Sequence, residues 1–139
     1  MRHYPAPILD RKLRFALVGC GRIAKNHFGA IEQHKDRVEL VGVCDVDPAA
    51  LEKAAAATGA KPYSNLDALL ADTNADAVVL TTPSGLHPEQ AIKAAEAGRH
   101  VLTEKPMATR WHDGQRMVSA CDEAGVRLFV VAVGSSAAT

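Results

Sequence analysis

No sign of charge predominates in this chain of 139 residues: sixteen Lys and Arg stand against sixteen Asp and Glu. A balanced surface lacks the electrostatic footprint with which proteins hold a nucleic-acid backbone, so nucleic acid is not an expected partner. Cysteine is scarce. Cys20, Cys44 and Cys121 are odd in number and far apart, with none of the short Cys or His spacings of a zinc site or a redox couple. They read as reduced core thiols, and no metal is expected. No apolar segment reaches the length of a membrane span, and residues 1–12 lack the hydrophobic centre of a signal peptide. These absences point to a cytoplasmic protein with no membrane partner. The length fits one domain, enough to bury roughly two-thirds of the surface an unfolded chain exposes.

What is present is a strand running into a helix through a glycine turn. Phe15, Leu17 and Val18 form an apolar, β-prone run, and Gly19-Cys20-Gly21-Arg22-Ile23-Ala24 fits the Gly-x-Gly-x-x-Gly/Ala fingerprint of a dinucleotide-binding first turn. In that reading Gly19 allows the tight turn and Gly21 lets backbone approach a pyrophosphate, while Ala24 lets the helix pack on the strand. The helix start, at Arg22 and Ile23, adds free N–H groups and a positive dipole end suited to a diphosphate. A second apolar run, residues 38–44, ends in Asp45, an acidic residue at the distance the fingerprint requires. A carboxylate there accepts hydrogen bonds from ribose hydroxyls and repels a 2′-phosphate. With no Arg or Lys in Val46-Asp47-Pro48 to offset it, NAD is favoured over NADP. The alternative is that Asp45 merely closes a strand; Asp47 caps the next helix, with Pro48 in its first turn.

The rest of the chain alternates. Residues 1–11, with Pro5 and Pro7, read as an irregular arm with Ile8 and Leu9 lying on the domain. A helix is expected over 22–34, with Ile23, His27 or Phe28, Ala30 and Ile31 on its buried side; neither His27 nor His34 has a metal-binding neighbour in sequence, and both are read as surface histidines. Residues 48–58 predict a helix with Leu51, Ala54 and Ala55 toward the sheet, stopped by Gly59. Residues 61–63 predict an edge strand, where Pro62 does least damage. A short helix over 67–71 follows, with Ser64 and Asn65 as candidate caps. The continuous apolar run 77–82 reads as a strand buried on both faces of a parallel sheet. Helices over 88–98, with Ala91, Ile92 and Ala95 inward, and over 110–124 then alternate with strands over 100–103 and 126–133. Six strands interleaved with helices make two mononucleotide-binding halves, a doubly wound α/β fold with strand order 3-2-1-4-5-6 and helices on both faces.

Two further stretches leave strands at the edge where such folds bind ligands. Residues 81–88, Thr81-Thr82-Pro83-Ser84-Gly85-Leu86-His87-Pro88, are placed by topology along the cofactor. A Pro-Gly turn feeding a helix capped by Ser84 or His87 explains the residue types equally well. Glu104-Lys105-Pro106 leaves the fifth strand toward the nicotinamide end of the same crevice. Lys105 there could hydrogen-bond a substrate hydroxyl and take its proton. A surface lysine paired with Glu104 is the commoner arrangement on chemistry alone.

Together these stretches resemble the nucleotide-binding half of the glucose-fructose oxidoreductase, inositol dehydrogenase and rhizopine-catabolism family, over nearly the whole chain. The resemblance implies a Rossmann-like NAD domain over residues 13–133, after the arm of residues 1–12. It implies Lys105 as the catalytic-site lysine, Asp45 as the ribose ligand, and Thr81, Thr82, Pro83, Leu86, His87 and Glu104 as the cofactor wall. Within the family the likeness is to the branch that moves hydride from C3 of UDP-N-acetylglucosaminuronate to NAD in surface-polysaccharide biosynthesis. Full-length members are homo-oligomers whose second domain holds the sugar. The small-residue stretch 134–139 differs from the polar segment that enters that domain, and the expectation is a truncated or frame-altered product, or a deliberately isolated domain, that binds NAD without catalysis. A free-standing NAD-binding or sensing module is the alternative.

Overall fold

The computed structural model describes residues 10–131, with six strands and five α-helices: β1 (Leu13–Val18), α1 (Ala24–Gln33), β2 (Val38–Cys44), α2 (Pro48–Thr58), β3 (Lys61–Tyr63), α3 (Leu66–Asp72), β4 (Ala77–Leu80), α4 (His87–Glu96), β5 (His100–Glu104), α5 (Trp111–Ala124) and β6 (Leu128–Val131). A 3-10 turn, Ser84–Leu86, precedes α4. The strands form one sheet in the order β3-β2-β1-β4-β5-β6, every pair parallel. Residues 1–9 of the expected arm, with Ile8 and Leu9, and the expected stretch 132–139, with the end of the last strand and the tail, lie outside the described residues.

Strand alternation sorts the core into two layers. Ala16, Val18, Val78, Leu80 and Val101 pack with Leu69 of α3, Ala91, Ala94 and Ala95 of α4, and Met117 and Cys121 of α5. On the other face Leu17 and Val79 pack with Ala24 and Phe28 of α1, and Val43 packs with Ala54 and Leu51 of α2. All four residues of β4 are buried, as a strand in the middle of a parallel sheet requires. The small Ala24, fully buried between Leu17 and Val79, lets α1 approach the sheet closely.

Where sequence and structure differ, the reason is local. β4 ends at Leu80, short of the expected 82; Thr81 N–H still bonds Val18 O at 2.8 Å, and the Thr81 and Thr82 hydroxyls have the partners described below. The inward stripe of α1 runs through Ala24 and His27, while Ile23 is 49% exposed and Ala30 is exposed. His27 is therefore not a surface histidine. It lies three residues from Ala24, on the same side of the helix, and is only 7% exposed; His34 is exposed as expected. Asp47 caps α2 through Ala49 N–H, and Asn65, not Ser64, caps α3 through Ala68 N–H. The three cysteines are free, Cys44 and Cys121 buried and Cys20 half-buried. Burial pushes each thiol up to about 11, helped at Cys20 and Cys44 by the neighbouring Asp45 charge. They are protonated at neutral pH.

Gly19, whose φ is +96°, lies close against the backbone of the loop after β4. A Cβ there would stand 2.8 Å from Thr81 C and Thr82 N and 2.9 Å from Thr81 O, all backbone atoms that no rotamer change can move. Gly19→Ala is expected to lower stability by about 3 kcal/mol, combining positive-φ strain with overpacking, and so to lower Tm by roughly 10 °C. Thermal melting of the two proteins checks this. Gly21→Ala, whose methyl would meet nothing within 4 Å, serves as the control and should melt with the parent.

Candidate dinucleotide site

The C-terminal ends of β1, β2, β4 and β5 lie side by side, since Val18 pairs with Cys44 on one side and Leu80 on the other, and Leu80 pairs with Thr103. This edge collects the turn at 19–23, Asp45, residues 81–87 and residues 104–107, all four sequence-marked stretches. The fold reverses direction between β1 and β4, the switch point at which open α/β sheets bind ligands.

The glycine turn is built as an anion cradle. The N–H groups of Gly21, Arg22 and Ile23 have no acceptor among the described residues, the first turn of α1 has no side-chain cap and no acidic residue, and the space above Gly21 is open. By contrast, α2 and α3 carry side-chain caps, and α4 and α5, also without such caps, have an acidic residue in the first turn. An uncapped helix start above an empty glycine suits a diphosphate in geometry and in sign. The dinucleotide therefore fits here on the chain's own terms: a side chain at position 21 would fill the space a pyrophosphate needs. Arg22 and Ile23 are both exposed at its rim.

Asp45 faces this turn. Its two oxygens accept hydrogen bonds from Cys20 N–H at 2.7 Å and Asp47 N–H at 2.9 Å, so the carboxylate pins the glycine turn to the end of β2. A carboxylate has about four acceptor positions, and those left over remain for hydroxyl groups. Val46 beside it is 87% exposed, an apolar surface at the same rim that sequence reasoning passed over.

On the far side of the switch point the side chains bind one another. Thr81 Oγ1 donates toward the carbonyls of Val18 at 3.0 Å and Gly19 at 2.5 Å, and Thr82 Oγ1 meets Gln90 Oε1 at 2.5 Å. Neither Ser84 nor His87 caps α4 through its side chain. His87, 3% exposed, has Nε2 2.8 Å from Thr82 O and Nδ1 3.1 Å from Met107 O. Pro83 and Leu86 are exposed at the crevice, Leu86 at 51%. Glu104 does not pair with Lys105; its Oε2 lies 2.9 Å from Nε2 of the buried His27. Lys105 is exposed, its N–H bonded to Val131 O at 3.0 Å, and the Lys105–Pro106 peptide bond is cis. Among the described residues its ammonium has no carboxylate partner. The His27 contact was legible in part: Ala24, His27, Phe28 and Ile31 share one helical stripe, which predicts a buried histidine and hence a polar partner.

Among the described residues, no helix is long and apolar enough to cross a membrane. The family described as an oxidoreductase family with an NAD-binding Rossmann fold matches residues 13–132. The WlbA dehydrogenase of Bordetella pertussis, solved in complex with NADH and UDP-GlcNAcA, is 72% identical with a TM-score of 0.88, covering 90% of this chain and 36% of that one. Its counterpart from Chromobacterium violaceum, also in complex with NADH and UDP-GlcNAcA, is 66% identical with a TM-score of 0.89 and the same coverages. The curated D-apiose dehydrogenase of Paraburkholderia graminis is 35% identical over 121 residues, 86% of this chain and 32% of that protein. The chain thus spans about a third of the length of the relatives it matches. With its six-stranded switch-point sheet, open glycine cradle and acidic second strand, it belongs to the Gfo/Idh/MocA oxidoreductase family, as an NAD-binding Rossmann domain.

Proposed function

We propose that this chain is the cofactor-binding part, over residues 13–133, of a cytoplasmic dehydrogenase that oxidises C3 of UDP-N-acetylglucosaminuronate. The observation that carries the cofactor half of this reading is the uncapped start of α1 above the open Gly21, facing Asp45 at the end of β2 and lying beside the switch point. The substrate rests on the two WlbA dehydrogenases, 72% and 66% identical and solved with NADH and UDP-GlcNAcA.

In this reading the N–H groups of Gly21, Arg22 and Ile23 hold the diphosphate, and Asp45 accepts hydrogen bonds from the adenosine ribose with the acceptor positions that the turn leaves free. Thr82, Pro83 and Leu86 wall the other half of the cofactor, while Thr81, His87 and Glu104 hold that wall in place through the contacts described above. When bound, NAD supplies the acceptor for the hydride that leaves the sugar carbon. Lys105 Nζ hydrogen-bonds the C3 hydroxyl and, in its amine form, takes the hydroxyl proton. Free of any carboxylate partner among the described residues, it can reach out from its turn for that oxygen.

Three measurements test the reading. Gly21→Val is expected to abolish NADH binding in a fluorescence titration while the protein melts like the parent; a folded variant that still binds would reduce the glycine run to a turn. NADH should bind well above NADPH, and Asp45→Asn should weaken NADH by roughly tenfold, the value of one charge-assisted hydrogen bond, and narrow the gap between the two. Equal affinities in the parent would remove Asp45 from the ribose. Fused to the C-terminal part of the Bordetella pertussis relative, the chain should reduce NAD with UDP-N-acetylglucosaminuronate. Lys105→Ala in that fusion should lower kcat by about a hundredfold or more, as loss of an acid-base group does.

A further inference from the structure

The turn that carries Lys105 is gripped at both ends by buried imidazoles, one from each face of the sheet. Glu104, the residue before it, is held by His27 of α1 at 2.9 Å. Met107, two residues after it, has its carbonyl 3.1 Å from Nδ1 of His87, the first residue of α4. α1 packs on the Leu17 and Val79 face, and α4 on the Val78 and Leu80 face. Both rings are buried, at 7% and 3% exposure, while Lys105 itself is exposed.

Each ring also belongs to an element that borders the cofactor crevice. His27 is one turn into α1, behind the cradle at 21–23. The other nitrogen of His87 contacts the carbonyl of Thr82 at 2.8 Å, in the loop that leaves β4. Burying polar rings costs stability unless they are hydrogen-bonded, and apolar side chains would fill such sites without that requirement. Directional bonds fix what apolar contacts leave loose, namely where a backbone segment sits to within fractions of an ångström. A lysine on four rotatable bonds needs that precision in its Cα, because a misplacement of about 1 Å at a reacting group can cost a hundredfold in rate.

We propose that His27 and His87 are positioning residues for Lys105: each ties the 104–107 turn to an element bordering the cofactor, so that the lysine is set against the nicotinamide end of the crevice. The proposal rests on the placement of Lys105 given above. It needs no contact between either histidine and the cofactor.

The test uses the 139-residue chain with its lysines reductively methylated with carbon-13, the Lys105 signal being assigned by its loss in Lys105→Arg. The signal is followed by NMR from no NADH to saturating NADH. In the parent, the Lys105 signal should shift on saturation while that of Lys61, tied to Asp72 at the β3 edge, stays fixed. In His27→Ala and in His87→Ala, read at their own saturating NADH, the Lys105 shift should be lost. His27→Gln, whose amide can donate to Glu104 in place of Nε2, should restore it, which a general loss of packing would not allow. Should an alanine variant fail to fold, Glu104→Gln keeps the side chain's size, weakens the bond to His27, and should lose most of the shift.

A parental shift in the folded alanine variants, or in Glu104→Gln, overturns the proposal and leaves the function reading standing. A parent that binds NADH with no Lys105 shift overturns both the placement of Lys105 and the proposal. A parent that binds no NADH overturns the cofactor reading itself and the proposal with it.

Discussion

The approach of Gly19 to the backbone of Thr81 and Thr82 is the constraint on which the site depends. β1 and β4 are neighbours in the middle of the sheet, and their chains leave it in opposite senses, one toward α1 and the other toward α4. For both to turn at the same level, one turn must lie against the other with no side chain between them. Gly19 meets that condition with a φ of +96° and backbone atoms 2.8 Å from where a Cβ would be. The same contact brings the Gly19 carbonyl within reach of Thr81 Oγ1. The crevice between the two halves thus has a floor of backbone locked to backbone, and the ligand-facing atoms of both loops are placed from it.

Above that floor, the rim is laced by hydrogen bonds, three joining neighbouring strand ends and a fourth tying α1 to β5. Asp45 joins β2 to the β1 turn, Thr81 joins β4 to β1, His87 joins the β4 loop to the β5 loop, and His27 joins α1 to β5. Loops at the edge of a sheet are ordinarily its most mobile part. Here each is held by a short contact to a neighbouring element. This also separates two duties that a motif merges. Gly21, Arg22, Ile23, Pro83 and Leu86 present backbone or exposed surface to the crevice, whereas Thr81 and His87 direct their polar atoms into the protein.

That division explains what the sequence disclosed. Strand and helix order followed from period and from glycine stops, as at Gly59 and Gly125, both with positive φ at helix ends. The glycine fingerprint and Asp45 could be read because their chemistry is local: one turn, and one acidic residue at a fixed distance. The pairing of His27 with Glu104 and of His87 with Met107 could not, because these partners lie 77 and 20 residues apart and hydrogen bonds between distant elements leave no periodic trace. Glu104 shows this most plainly. A surface pair with Lys105 is the commoner alternative on chemistry alone, yet the carboxylate of Glu104, the last residue of β5, bonds His27 of α1, while Lys105 just past the strand is exposed.

Asp45 shows how closely recognition is tied to the fold at this edge. Its carboxylate accepts two backbone N–H groups before any ligand arrives, and one of them belongs to Cys20, inside the glycine turn. In the proposed reading, the charge that would exclude a 2′-phosphate therefore also holds the turn that would cradle the diphosphate. A residue that merely offered a positive charge to a phosphate would leave Cys20 N–H without its acceptor. Converting such a site to the phosphorylated cofactor thus requires a replacement that both accepts from the turn and tolerates the phosphate, which no single basic side chain does, since Lys and Arg have donors and no acceptor.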